Sequence, residues 1–181
     1  MLTAQQQVFV QALEELNIAQ VQSLLADGLD PNFIDTEKGP AISVWSDGLF
    51  KWWEEICEAY EAGTPLSSDE KEKNLQPHLD ILDALIKAKV NLHLWDAEEI
   101  YGPLWDAASS ACVPVVKRLL AEKVNPNTKD EDGFTILSSI SDLFFDCDFD
   151  EVNWSEALEE EKATLELLRE HGAKMSKELV K

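Results

Sequence analysis

The stretch VKRLLAEKVNPN at residues 116–127 recurs in altered form three more times, as VQSLLADGLDPN at 21–32, LDALIKAKVNLH at 82–93 and LELLREHGAKMS at 165–176. Each copy carries two apolar residues three apart: Val21/Leu24, Leu82/Leu85, Val116/Leu119 and Leu165/Leu168. That spacing puts both on one side of a helix and predicts a buried stripe. Four positions after the second apolar residue stands Gly28, Lys89, Lys123 or Gly172. A residue there, just past a helix, is suited to a left-handed backbone, which glycine adopts freely and lysine only against steric resistance. The pattern predicts an all-α chain in which one turn ends four helices.

The segments that lead into these helices also agree. EIYGPLWDAASSACVPVVKRLL (99–120) and DEDGFTILSSI (130–140) each read as a turn, a glycine and a short first helix, and the former runs on into a second. Together these features resemble the ankyrin repeat, with its G-x-T-P-L-x-x-A-A opening and a second helix ending L-L-x-x-G-A-x-x-N. Gly102-Pro103-Leu104 with Ala107-Ala108 matches one copy, Gly133-Phe134-Thr135-Ile136-Leu137 matches another, and Asn32 and Asn127 hold the terminal Asn position. The resemblance implies an ankyrin-like helical solenoid of about four degenerate repeats in a single domain, 1–181, with repeats near 5–38, 39–98, 99–130 and 131–181. The equivalent turn positions lie 61, 34 and 49 residues apart. Only the middle interval approaches the usual ~33, so the pattern requires two insertions, at 63–76 (GTPLSSDEKEKNLQ) and 141–156. The first-helix motif is eroded in the other copies, and none keeps the His that often follows the Leu. Another solenoid of helical hairpins would satisfy the same periodicity.

Charge narrows the function. The 36 acidic and 15 basic residues leave a net charge of -21. A chain so negative repels nucleic acid and anionic membranes, attracts cationic proteins and lacks the basic stripe of a nucleic-acid binder. The acid is uneven: residues 1–62 hold 11 acidic and 2 basic residues and 142–181 hold 12 and 5, whereas 102–141 hold 5 and 4. No apolar run approaches the ~18 residues of a membrane span, and MLTAQQQVFVQALEEL has neither the basic start nor the apolar core of a signal peptide. Cys57, Cys112 and Cys147 are odd in number and widely spaced, as expected of reduced thiols in a cytoplasmic protein.

Two acidic, aromatic-laced stretches stand out. In LFKWWEEICEAY (49–60), helical stepping puts Leu49, Trp52, Trp53, Ile56, Cys57 and Tyr60 on one side and Glu54, Glu55, Glu58 and Glu61 on the other, with Lys51. This predicts an extended amphipathic helix that shows carboxylates to water. In DLFFDCDFDEVNWSEALEEE (142–161), nine positions are Asp or Glu and none is Lys or Arg, yet Phe144, Phe145, Phe149 and Trp154 sit among them. Rings can supply desolvated anchors while carboxylates steer a cationic partner. The rings can equally close the end of the helical stack.

Chemistry is hard to find. The chain has no GxSxG, HExxH, Walker loop or GxGxxG. His78, His93 and His171 lie far apart in the sequence, the latter two at turns, and suggest no ligand cluster. Asp146, Asp148 and Asp150 have the spacing that opens a calcium loop, but Glu151 and Ala157 occupy the places where such a loop needs Gly and Glu. We expect no enzyme activity, no cofactor and no metal.

The resemblance to ankyrin-type proteins implies binding through hairpin tips and first helices. The tips are Asp35-Thr36-Glu37, Trp95-Asp96-Ala97-Glu98-Glu99 and Lys129-Asp130-Glu131-Asp132, with Tyr101, Trp105 and Asp106 beside the second. The expected partner surface thus comprises Glu54, Glu55, Glu58, Trp95, Asp96, Glu98, Glu99, Tyr101, Trp105, Asp106, Asp130, Asp132, Asp146, Asp148, Asp150 and Trp154. Small acidic proteins with degenerate repeats of this kind resemble immunity proteins encoded beside bacterial toxins. That resemblance implies a monomer that neutralises a cationic toxin domain, of the nuclease type, by covering its active or substrate-binding surface. A general ankyrin adaptor, or an anti-defence protein imitating nucleic acid, is the alternative the same features allow.

Overall fold

The computed structural model describes residues 2–93, 102–145 and 158–179. These are mostly helical. The chain divides into two compact units, Met1–Asp96 and Ala97–Lys181. The first holds α1 (Ala4–Glu14), α2 (Ile18–Ala26), a short ribbon of β1 (Ile34–Asp35) and β2 (Gly39–Pro40), α3 (Ala41–Glu61) and α4 (Ser68–Lys87). The second holds α5 (Pro103–Ser109), α6 (Val113–Ala121), α7 (Ile136–Phe145), α8 (Glu159–Glu170) and a 3-10 turn at Ser176–Glu178. The division falls next to the repeat boundary expected at 98/99.

Within each unit the helices pack as successive pairs, first helix on first and second on second: α1 on α3 and α2 on α4, then α5 on α7 and α6 on α8. The apolar stripes read from the sequence face inward. Val21, Leu82, Leu85, Val116, Leu119, Leu165 and Leu168 are buried and Leu24 is half-buried. Helix starts follow local chemistry. The Thr3 and Ser67 hydroxyls accept from the Gln6 and Glu70 N–H groups, and Gln6 and Glu70 reach back in capping boxes. Pro103 and Pro114 sit at first-turn positions, where the missing N–H has no helical partner to lose.

The four helix-ending positions are all left-handed, with φ of 91° at Gly28, 62° at Lys89, 64° at Lys123 and 84° at Gly172. Each turn closes with the same two bonds. The N–H after the left-handed residue donates five residues back (Leu29 to Leu24, Val90 to Leu85, Val124 to Leu119, Ala173 to Leu168), and the left-handed residue donates three back. These are Schellman caps, and they satisfy carbonyls that a helix end would leave bare. The first-helix ends repeat the device at Leu16 (φ 51°) and Ala111 (φ 45°).

The terminal asparagines clamp two of these turns, at Lys89 and Gly172. Asn32 Nδ2 donates to the Lys89 carbonyl at 3.3 Å while its Oδ1 accepts from the Asn91 N–H at 2.6 Å. Asn127 does the same to the next turn of its own unit, donating to the Gly172 carbonyl at 2.9 Å and accepting from the Lys174 N–H at 2.8 Å. One side chain thus reads the backbone polarity of the following turn, and only that turn geometry presents both groups to it.

The expected insertion at 63–76 is a connecting turn plus the first turns of α4. It lengthens α4 to 20 residues, against the 21 of α3. Two tryptophans tie the pair: Trp45 Nε1 donates to the His78 carbonyl at 3.2 Å and Trp52 Nε1 to the Lys71 carbonyl at 3.4 Å, either side of Pro77. Gly48 faces the His78 ring so closely that a Cβ there would sit 2.8 Å from Cε1. His78 is only 3% exposed and its Nδ1 has no hydrogen-bond partner. Burial lowers its pKa from 6.5 to about 4.

Two outcomes test this construction. Lys89→Gly and Lys123→Gly relieve a strained left-handed residue and should each raise unfolding free energy by about 0.5–1 kcal/mol, measured by urea titration. As for His78, the unfolded chain takes up its proton near pH 6.5 and the folded chain only near pH 4. Stability should therefore be undiminished above pH 6.5 and fall by about 3 kcal/mol as pH drops toward 4. His78→Leu should flatten that part of the pH–stability curve, and an unchanged slope would exclude the imidazole as its source.

Candidate functional site

The long α3 presents the first candidate surface. Its inner side carries Trp45, Leu49, Trp52 and Ile56, all buried. Its outer side carries Glu54, Glu55, Glu58 and Glu61, all exposed, beside exposed Lys51. Helical spacing brings Asp47, Glu54, Glu58 and Glu61 into one row with Phe50, which is 44% exposed. No ion pair among the described residues engages Glu54, Glu55, Glu58 or Glu61. Tyr60 departs from the expected apolar side. It is 58% exposed, whereas Trp53 and Cys57 are half-buried.

The second candidate lies in the other unit, at the hairpin tip before α7. A bridge pairs Lys129 with Thr135, and Gly133 turns the chain at φ 84°. Asp130 builds this tip: its Oδ1 accepts from the Phe134 N–H at 2.8 Å and its own N–H donates to the Phe134 carbonyl at 2.9 Å. Behind the tip, the buried Thr135 hydroxyl donates to the Lys174 carbonyl at 2.6 Å, and the Ser176 N–H donates to Ser138 Oγ at 2.8 Å. Arg169 then grips Glu178 through both guanidinium nitrogens, at 2.5 and 2.9 Å. These Arg169 bonds, followed by the Met175 N–H, hold the Glu178 carboxyl down at about pKa 2. A groove of about 490 Å³ opens between tip, α7 and 3-10 turn, flanked by Phe134 and Leu143 and lined by Ser138, Asp142, Ser176 and Lys177.

The expected partner residues fare unequally. Glu54, Glu55, Glu58 and Asp132 are exposed. Asp130 is half-buried and committed to its own turn. Trp105 and Asp106 are buried in α5, each 6% exposed, and present no surface to a partner. They follow Pro103 and Leu104 directly in the first turn of a short helix whose positions 103–108 are all buried, and nothing in the sequence signalled that extent of burial. Trp95, Asp96, Glu98, Glu99, Tyr101, Asp146, Asp148, Asp150 and Trp154 lie outside the described residues. Phe134, Asp142 and Leu143 were not anticipated. The G-x-T-P-L match drew attention to Phe134 only as scaffold.

Reactive groups are few. Burial pushes the Cys112 thiol up to about 12, far from a nucleophile's range. Cys57 is half-buried and Cys147 lies outside the described residues. His171 Nδ1 sits 3.0 Å from the Leu167 carbonyl, decorating its turn as expected. Among the described residues no three His, Cys, Asp or Glu side chains converge as a metal site, and no helix is long and apolar enough to cross a membrane.

No protein-family model matches the chain, and no curated protein matches it.

The α3 carboxylates repel one another, with Glu54 and Glu58 one helical turn apart. Glu58→Lys converts that repulsion into a favourable Glu–Lys pair and should raise stability by about 0.5–1 kcal/mol in low salt. The gain should shrink as salt screens it, as urea unfolding at two ionic strengths would reveal.

Proposed function

We propose that this chain is an ankyrin-like repeat protein that binds a cationic protein and inhibits it, as an immunity protein does for a toxin domain of the nuclease type. The repeat reading is supported by four identical Schellman turns and by the matching clamps of Asn32 and Asn127. The observation that carries the binding reading is the α3 face, where Glu54, Glu55, Glu58 and Glu61 project to solvent from a rigid helix whose other side is buried. A helix needs a polar outer face, but one with four carboxylates beside a single lysine, Lys51, weakens the fold through self-repulsion. Its benefit lies in long-range attraction, which speeds encounter with a basic surface and opposes wrong, acidic partners.

The mechanism is occlusion. A nuclease cleft attracts phosphates with lysine and arginine, and a row of carboxylates on a rigid rod competes for those cations without offering a scissile bond. Nothing has to be catalysed; the inhibitor need only arrive quickly and leave slowly.

Titrating the chain against a panel of purified basic nuclease toxin domains should abolish the activity of its cognate member at equimolar ratio. Raising ionic strength from about 0.05 to 0.5 M should then slow association far more than it speeds dissociation. Charge reversal at Glu54 and Glu58, and at Asp148 and Asp150, should mimic the salt effect. Association rates indifferent to both would refute electrostatic capture.

A further inference from the structure

We infer that the second half of α3 carries a docking ridge of Phe50, Trp53, Cys57 and Tyr60. It takes an amphipathic helix of the partner, one whose apolar stripe is edged by arginine or lysine. The inference rests on the cationic-partner reading above and adds to it the anchors and the shape of the partner element.

The four residues stand three, four and three apart in α3, the spacing by which two helices seat their apolar seams on each other. Toward the helix start the same line runs through Ser46 and Ile42, both fully buried. From Phe50 onward the cover stops. Phe50 is 44% exposed and Tyr60 58%, with Trp53 and Cys57 half-buried between them. One exposed aromatic residue is ordinary, whereas four successive apolar members of one helical line make a continuous patch of the kind that marks interfaces. Helix α4 does not compete for it. Gly48 faces the His78 ring, and Trp45 and Trp52 donate to α4 carbonyls. Helical stepping puts these three on the side of α3 away from Phe50. The ridge is also ordered in advance: the Trp53 ring lies 6.4 Å from that of Trp52, whose Nε1 is tied to the Lys71 carbonyl. An anchor already held loses little conformational freedom on binding.

Charge selects the occupant. Glu54 and Glu61 border the ridge on its side away from the core, with Asp47 and Glu58 just beyond, and all four are exposed. Lys51, the one basic residue of α3, lies past that row. A neutral helix laid on the ridge would leave the carboxylates unanswered. A second copy of this chain would set carboxylate against carboxylate. Arginine or lysine along one edge of the partner's apolar stripe complements the row, and the stripe covers the rings.

The test titrates the full chain with three synthetic helical peptides of equal length. The first sets leucines in a stripe edged by arginines, the second scrambles the same residues so that no stripe forms, and the third replaces the arginines with glutamates. The striped basic peptide should bind about ten-fold tighter than its scramble. It should shift the backbone amides of residues 50–61 and the Trp53 indole, and the glutamate peptide should not bind. Phe50→Ala with Tyr60→Ala should erase the preference for the stripe. Tyr60→Ser alone, at the more exposed end of the ridge, should narrow it about three-fold with the thermal midpoint unchanged. Equal binding of the striped and scrambled basic peptides, with shifts centred on Glu54 and Glu58, would overturn the ridge and leave the cationic-partner reading standing. If neither basic peptide binds at low ionic strength, that reading falls as well. Binding of the glutamate peptide as tight as that of the arginine one would overturn the charged edge. A wild-type dimer in sedimentation that the double variant turns into a monomer would make the ridge a self-contact and also overturn the inference.

Discussion

A single polar side chain, asparagine, fixes how one helix pair sits on the next within each unit. Asn32 and Asn127 each supply one donor and one acceptor to the backbone of the following turn, where the left-handed residue exposes a carbonyl and, two residues later, an N–H. Apolar packing alone would let one helix pair slide along the next, since hydrophobic contact has no direction. The paired hydrogen bonds have both direction and register. They also account for the lysine at 89: the clamp engages its carbonyl in the left-handed geometry, and the chain accepts a Cβ there to keep it.

The long α3–α4 pair shows how far the scheme can be stretched. Extra residues were added as helix on both strands of the hairpin, so the core stripe simply continues through Leu49, Trp52 and Ile56. Pro77 would weaken an isolated helix, having no N–H to give and a ring that crowds the preceding turn. Here it is bracketed by the two tryptophan N–H groups that bond α4 carbonyls, and Gly48 brings the helices close enough for that reach. The same closeness encloses His78, so the extension carries a buried imidazole with an unpartnered nitrogen as its weak point.

Charge and apolar exposure are distributed so that neither undermines the core. The carboxylates of α3 occupy the side of the helix that packing never uses, and Phe134 and Leu143 border a groove whose walls are tied by Thr135, Ser138 and Ser176. The two features differ in range: diffuse charge acts over distances near the Debye length, about 8–10 Å in physiological salt, and apolar groups act only at contact. The polar network beneath the groove fixes its walls.

The sequence by itself determined the all-α class, the four buried apolar stripes, the four left-handed turn positions and the acidic outer side of α3, because helical periodicity and turn chemistry are local. It did not reveal that Asp130 folds back on its own backbone, that Trp105 and Asp106 are buried, that Tyr60 is exposed, or that the 63–76 insertion lengthens α4. Nor did it single out Phe134 and Leu143 as neighbours across a groove. Those facts depend on which segments meet in space: a carboxylate at a tip reads identically whether it faces water or its own chain, and residues nine apart become a pair only when a turn and a helix set them on one rim. Local physics fixed the elements, and tertiary packing decided which side chains were left in water.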